Sequence, residues 1–492
     1  MGSIDLKTTN TTTPVSDGKI HRSPLLALIL ISGAQLMIML DLTIVNVALP
    51  SIKAGLGFSP TALSWVVDAY TLVFGGLLLL GGRSGDIFGR RKMFTIGVSI
   101  FAAASFAGGL ADTQGLLIAA RAIQGIGAAI ASPTALALIA TNFKEGKERT
   151  EALGIFASVS AAGASLGLIS GGFLTEYINW RWVFFVNIPV GALIAIGAPM
   201  LLRESEKQKV KADVSGSLLS VAGIGSLVYG LIHSASTSWS NKITVESFIA
   251  AAVLLIAFVI REATAKQPLL RLGLLRNRNR SGAYAIMLVV AGSLFALWFF
   301  LTQFLQEILG YSPIKAGLAF LPMTISVMLI AKFTSRLVRR IGPLPLLSYG
   351  AFAISVALFW LSHLNVHSTY LGTVLPALLI NATGIGITFA TIFPTAMTAL
   401  APRDSGLGSA LVSVSQQIGG TLGISIMLTV SAGIANSKLA SLVSSHSGAS
   451  KALLVQQATA YGWSAGFKAA ALMAFIGGVV ALATIRNSGA IR

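Results

Sequence analysis

The chain has 492 residues, of which 54% are hydrophobic and 11% charged, where an ordinary soluble domain carries roughly a quarter charged. That is too little charge to cover a soluble surface of this size, and the absence of cysteine excludes a disulfide, a thiolate nucleophile and a Cys-based metal site. A formal net charge of +18 would point a soluble protein toward nucleic acid; here the basic residues stand between apolar runs, where they set topology and meet anionic headgroups.

The first 23 residues are polar and lack an apolar core with a small-residue cleavage site, so they read as a free tail. The sequon pattern at Asn10 falls on that tail and is taken as chance. Beyond it, continuous apolar runs of membrane-spanning length recur to the end of the chain. Their predicted limits are 25–48, 62–81, 93–111, 115–139, 151–175, 182–202, 215–234, 245–261, 281–305, 314–334, 344–363, 369–393, 406–431 and 466–485. Lipid satisfies no backbone hydrogen bond, and the runs do not alternate, so the spans are helices rather than strands of a barrel. The expected fold is an all-α polytopic membrane protein of about 14 transmembrane helices.

An even number of spans puts both termini on one side. Alternate loops, counted from the N-terminal tail, hold 27 of the 35 basic residues, among them Arg83, Arg90, Arg91, Lys92, Arg203, Arg276, Arg278, Arg280, Arg336 and Arg340. The opposite loops hold seven, and Arg121 lies inside a span. This bias predicts cytoplasmic termini in a plasma-membrane protein.

The sequence also repeats. Gly57-Phe58-Ser59-Pro60 returns as Gly310-Tyr311-Ser312-Pro313, an offset of 253 residues that also takes Arg83 to Arg336 and Gly89 to Gly342. Spans 1–6 thus correspond to spans 9–14, a two-half design around a central site. The predicted organisation is a tail at 1–24, a six-helix bundle at 25–202, two inserted helices at 203–280, a second six-helix bundle at 281–485 with a long extracellular loop near 432–465, and a tail at 486–492.

Only Asp41, Asp68 and Arg121 put a charge well inside a span, at a cost of at least about 2.5–3.5 kcal/mol each on insertion scales. Their depths allow all three to meet in the outer half of the first bundle. Two readings follow: carboxyls that gain and lose a proton as the cavity changes sides, or a static salt bridge joining spans 1, 2 and 4. The offset of 253 pairs Asp68 with Leu321 and Asp86 with Arg339, which confines embedded charge to the first half. Span 9 supplies Trp298, Phe299, Phe300, Gln303 and Phe304, either as an apolar wall of the cavity or as lipid-facing packing. Gln35, Asn381 and Gln416 complete the candidate substrate cavity with Asp41 and Asp68.

The loop after span 2 reads Gly82-Arg83-Ser84-Gly85-Asp86-Ile87-Phe88-Gly89-Arg90-Arg91-Lys92. It resembles the cytoplasmic signature of the major facilitator superfamily. Leu40-Asp41-Leu42-Thr43-Ile44-Val45-Asn46-Val47-Ala48-Leu49-Pro50 resembles the first-span motif of its fourteen-span drug:proton antiporters, the QacA/EmrB-like group. Arg121-Ala122-Ile123-Gln124-Gly125-Ile126-Gly127 is similar to the fourth-span motif, and Gly163, Gly167, Gly171 and Gly172 to the fifth-span antiporter motif. Trp180-Arg181-Trp182 with Asn187-Ile188-Pro189 is also typical of the group.

The resemblance implies a proton-coupled exporter working by alternating access, with Asp41, Asp68 and Arg121 in proton coupling and Gly82, Asp86, Gly89, Arg90 and Arg91 in cytoplasmic gating. Leu168 stands where the antiporter motif usually has proline, and Ile87 and Ser84 depart from the loop signature. No cofactor is expected beyond the proton gradient. The expected partners are small amphipathic substrates, cationic or neutral, together with protons and membrane lipids; no nucleic acid is expected, and the monomer is taken as the functional unit. No phosphate loop is present, and the five histidines lack ligand spacing. Two further readings stay open: an intramembrane aspartate-dyad enzyme, and an exporter dedicated to one endogenous metabolite.

Overall fold

The computed structural model describes residues 23–144, 146–205, 213–265, 268, 272–398, 400, 405–445 and 450–486. Most of both tails and parts of several basic loops, Lys207, Lys209, Lys211 and Arg403 among them, lie outside the described residues. No strand occurs among the described residues, and 14 helices are long and apolar enough to cross a membrane. In chain order they are α1 Pro24–Leu56, α2 Ala62–Phe88, α3 Arg90–Gly109, α4 Gln114–Asn142, α5 Lys147–Tyr177, α6 Trp182–Leu201, α7 Val214–Ser236 and α8 Lys242–Thr264. They continue with α9 Arg278–Ile308, α10 Pro313–Val338, α11 Pro343–Leu361, α12 Tyr370–Ala396, α13 Leu407–Ser444 and α14 Leu453–Thr484. The side where α1 begins and α14 ends is the terminal face, and the other the far face.

Turn chemistry sets the helix limits. Helix α1 runs eight residues past its predicted end because Pro50 does not break it, and Gly57 then stops it at φ +67° with its N–H on the Lys53 carbonyl. Helix α9 ends in a π turn at Phe304–Ile308. The stretch 432–465, expected as a long loop, is instead helical to Ser445 and again from Lys451. Gly462 lies against the Ser431 carbonyl and Ala435, so small residues let α13 and α14 stay packed beyond the apolar span.

Helices within each half meet through small residues, which matters in lipid, where apolar burial by itself does not hold helices together. Gly127 packs on the backbone of Gly97 and Phe101, joining α4 to α3. Gly384 packs in the same way on Gly350 and Ile354, joining α12 to α11. Gly97 and Gly350 are again 253 residues apart, so the repeat seen in the sequence is a repeat in packing.

The halves touch mainly along two seams. One joins α2 to α13; the other joins α5 to the first turns of α10, Pro313–Ala319. The inserted pair forms a hairpin fastened at its base. Asp213 caps α7 by accepting from the Gly216 N–H at 3.0 Å, and it also holds Arg261 at the end of α8 at 3.0 Å. Burial opposes charge on the Asp213 carboxyl, but the Gly216 N–H, the Ser215 hydroxyl and Arg261 outweigh it and hold the group below the usual carboxylate range.

Candidate functional site

Five helices build the site around Asp41. Arg121 of α4 pairs with its Oδ2 at 2.5 Å, and both side chains are sealed from solvent at 1% and 0% exposure. Gln124, one turn further along α4, donates to Oδ1 at 3.2 Å, and Asn187 of α6 donates to the same oxygen at 3.0 Å. Ser105 of α3 accepts from both amides. The Arg121 Nε–H reaches the Val66 carbonyl of α2 at 2.8 Å, and its guanidinium lies 4.3 Å above the Tyr70 ring. A buried ion pair tolerates its own desolvation only when its remaining polar atoms are also satisfied, and Gln124, Asn187 and Val66 supply those partners.

Asp68 lies elsewhere. The expectation that Asp41, Asp68 and Arg121 meet is half right, because Asp68 turns from the centre of the first bundle toward the seam between halves. The hydroxyls of Ser64 and of Ser425 on α13 stand beside it, but each donates to a carbonyl of its own helix or turn, Thr61 and Thr421, so neither carboxyl oxygen has a hydrogen-bond partner among the described residues. One turn on, the Thr71 and Thr421 hydroxyls bond across the seam at 2.7 Å. A turn further, Gly75 lies against Gln417, whose Oε1 is buried and also unpartnered. Cross-seam pairs therefore run 68/425, 71/421 and 75/417, the register of two antiparallel helices.

The glycines of α5 allow close packing on two neighbours. A side chain at Gly163 would meet Met39 and Leu36, at Gly167 the Leu40 carbonyl, and at Gly171 the Ile44 carbonyl, so the four-residue spacing fits α5 tightly to α1. Gly172 turns the other way and packs on Pro313 and Ile314 of the second half. Leu168, in place of proline, leaves α5 one continuous helix.

On the terminal face Asp86 pairs with Arg90 at 3.1 Å. Gly89 turns the chain at φ +105°, and α3 begins directly after it. The start of α3 is held by a residue absent from the loop motif: Glu204 accepts the N–H groups of Arg91 and Lys92 at 3.0 and 3.1 Å and stands 3.7 Å from the Arg91 guanidinium. A carboxylate suits the positive end of a helix. Gly82 faces Pro133 of α4.

Polar ties close the far face between halves. Lys53 pairs with Glu307 at 2.8 Å, Gln306 donates to the Val47 carbonyl at 2.9 Å, and Glu176 accepts the Ile314 N–H at 2.9 Å. Of the proposed cavity residues, Gln35 is buried and accepts from Ser132, and Asn381 is buried with no partner for its amide among the described residues. Gln303 is buried and bonds back to the Phe299 carbonyl, while Trp298 is only partly buried, with its Nε1 unpartnered. Phe299 packs on Phe300, and Phe304 packs edge-on against Trp463 of α14, inside the second bundle. Gln416 is partly exposed; its neighbour Gln417 is the buried glutamine.

Sequence reasoning singled out neither Ser105, Tyr70 nor Ser425, and it kept Asn187 and Gln124 only as parts of motifs. Neutral residues carry no hydropathy signal strong enough to separate them from packing, and Glu204 reads as one more charge in a polar loop. Among the described residues no cluster of histidine, aspartate or glutamate is placed to hold a metal.

Residues 31–424 match the Major Facilitator Superfamily. A puromycin resistance protein (pur8) of Streptomyces alboniger is 40% identical over 417 residues, covering 84% of this chain and 83% of that protein. The cephamycin export protein CmcT of Amycolatopsis lactamdurans is 37% identical, covering 82% and 84%. The multidrug resistance protein Stp of Mycobacterium tuberculosis is 34% identical, covering 84% and 76%. In fold, the chain resembles a bacterial homologue of the human lysosomal transporter Spinster, in an inward-facing and unoccupied conformation, with a TM-score of 0.65 at 16% identity over 95% of this chain and 99% of that one. Fourteen apolar helices in two repeated halves, small-residue seams and these relatives agree: the chain belongs to the major facilitator superfamily and is a multi-pass membrane transporter.

Proposed function

We propose that this chain is a proton-driven exporter of small amphipathic molecules, with Asp68 as the carboxyl that carries the proton. One contrast supports the assignment: both oxygens of Asp41 accept hydrogen bonds inside one bundle, whereas Asp68 is buried at the boundary between the halves with no hydrogen-bond partner among the described residues. Removing the Asp41 charge would orphan Arg121, so Asp41 acts as a fixed electrostatic anchor. A proton on Asp68 cancels a charge that nothing else there neutralises, and it does so on the surface where one half meets the other. Such a group links occupancy to rocking of the halves.

With cytoplasmic termini, the closed far face is extracellular, and the terminal face is where substrate is loaded. The puromycin, cephamycin and multidrug names of the relatives support small organic cargo leaving the cell. The proton gradient is the only energy source required, lipids are the surrounding solvent, and a single chain holds the whole site.

The test is substrate-induced proton release from purified protein in detergent, with a lipophilic cationic dye as substrate. Wild type releases protons on binding; Asp68→Asn binds dye and releases none. Dye binding without proton release in wild type would sink the coupling. Export of a wide panel of dyes and antibiotics distinguishes a multidrug exporter from one dedicated to a single metabolite.

A further inference from the structure

The inserted helices have no counterpart in the repeat, and their position suggests what they do. Helix α7 packs on both halves at once, over the outside of the α2–α13 seam. Val221 fills the space beside Gly76, Gly225 faces Leu72, and the Tyr229 ring lies 6.4 Å from that of Trp65 at a 44° tilt, the partners all being on α2. On the other side Thr429 of α13 donates to the Leu231 carbonyl at 2.8 Å. Leu72, Ile224, Val228 and Ile232 form one buried apolar cluster, with Ile418 and Leu422 of α13 packed against it. The Asp68 stretch of the seam, from Trp65 to Gly76, therefore lies under α7.

The second seam has no such cover. The contacts of α5 with the opposite half gather at the far face, where Gly172 meets Ile314 and the Leu168 carbonyl meets Gly317. Toward the terminal face, Leu153, Gly154 and Ile155 of α5 are all exposed. Three successive residues spread about 200° around a helix, so this part of α5 is open on more than its outer face. On α10, the other helix of this seam, Ile325, Met328, Leu329 and Phe333 form an exposed apolar stripe.

We infer that α7 is a lateral seal over the Asp68 seam, and that bilayer-dissolved amphipathic substrate therefore enters between α5 and α10 from the terminal-face leaflet. An apolar solute already partitioned into lipid meets exposed apolar residues on α5 and α10, and at α7 a helix packed over the seam. The substrate class rests on the exporter reading; the route does not require proton coupling.

The chain has no native cysteine, so single introduced thiols can be modified after folding. Met328→Cys and Leu218→Cys, the latter on the exposed face of α7, are each coupled to a bulky apolar maleimide in nanodiscs. Association of a lipophilic cationic dye is then timed. The modified Met328→Cys protein slows by about tenfold or more, an access barrier raised by a factor the rate reads directly, while the modified Leu218→Cys protein changes by less than about twofold. Equal slowing at both sites, or no slowing at Met328→Cys, overturns the route.

A second variant, Gly76→Cys with Val221→Cys, brings Cβ atoms to 3.4 Å, near the disulfide range. Once oxidised it still binds and exports dye; loss of export with binding kept would mean that α7 must leave α2 during the cycle and is no seal. Intact binding and access pattern without proton release would remove the coupling of Asp68 and leave the seal standing. No dye binding by wild type would overturn both.

Discussion

Asp41 keeps three hydrogen-bond donors around its two oxygens, while Asp68, on the next helix of the same bundle, has none among the described residues. Both are fully buried. Asp41 is held by α4 and α6, within its own half, so its surroundings persist when the halves move as rigid bodies. Asp68 faces Ser425 and lies one turn from the Thr71–Thr421 bond, so its surroundings change whenever the halves separate. The lesson is that embedded charge in one bundle divides into a group that fixes structure and a group exposed to motion, and that the division follows which neighbour each faces.

The largest effect expected from breaking this comparison is at Arg121. Arg121→Gln leaves Asp41 as an uncompensated buried charge, a loss of about 3–5 kcal/mol, seen as collapse of the melting temperature or loss of monodisperse protein in detergent. Asp68→Asn removes no hydrogen bond or ion pair, so its melting temperature stays at or above that of wild type while proton release disappears. A comparable melting loss in both variants would erase the distinction drawn here.

Next comes the α1–α5 seam. Gly171→Ala drives a methyl to 2.6 Å from the Ile44 carbonyl, and the forced shift costs about 1–3 kcal/mol; the same change at Gly154, where the added carbon meets nothing within 4 Å, is silent in a thermal melt. Asn187→Ala removes one donor to Asp41 for about 1–3 kcal/mol, whereas Ser425→Ala leaves the melt unchanged and shifts the pH at which substrate releases the proton.

The smallest effect is at the hairpin base. Asp213 is held below the usual carboxylate range in the folded protein, so its contribution is present above that range and is lost as pH falls through the folded value. Asp213→Asn lowers the melting temperature slightly at neutral pH and flattens that acid limb, so the two proteins converge as pH falls.

Much of the fold was legible in the sequence because a bilayer imposes a simple rule: apolar runs of sufficient length cross it, and basic loops alternate. The offset linking Gly89 to Gly342 and Arg83 to Arg336 carried the two-half design. The Asp41–Arg121 pair was legible because charge inside a span is rare. The 432–465 stretch misled because serine, lysine and glutamine in a helix outside the bilayer look like a loop once hydropathy is the only guide. Glu204 and Ser425 were not legible: each acts through a neighbour more than 110 residues away in the chain, and neither has an unusual residue type.

The sequence by itself determined the number of spans, the pairing of the two halves and the three residues that put charge in the membrane, since each follows from transfer free energies that are local to a segment. Tertiary structure alone decided which aspartate is saturated, which seam α7 covers and which glycine faces which helix. Those depend on rotation of each helix about its axis, and a helix exposes every side in turn until a neighbour selects one.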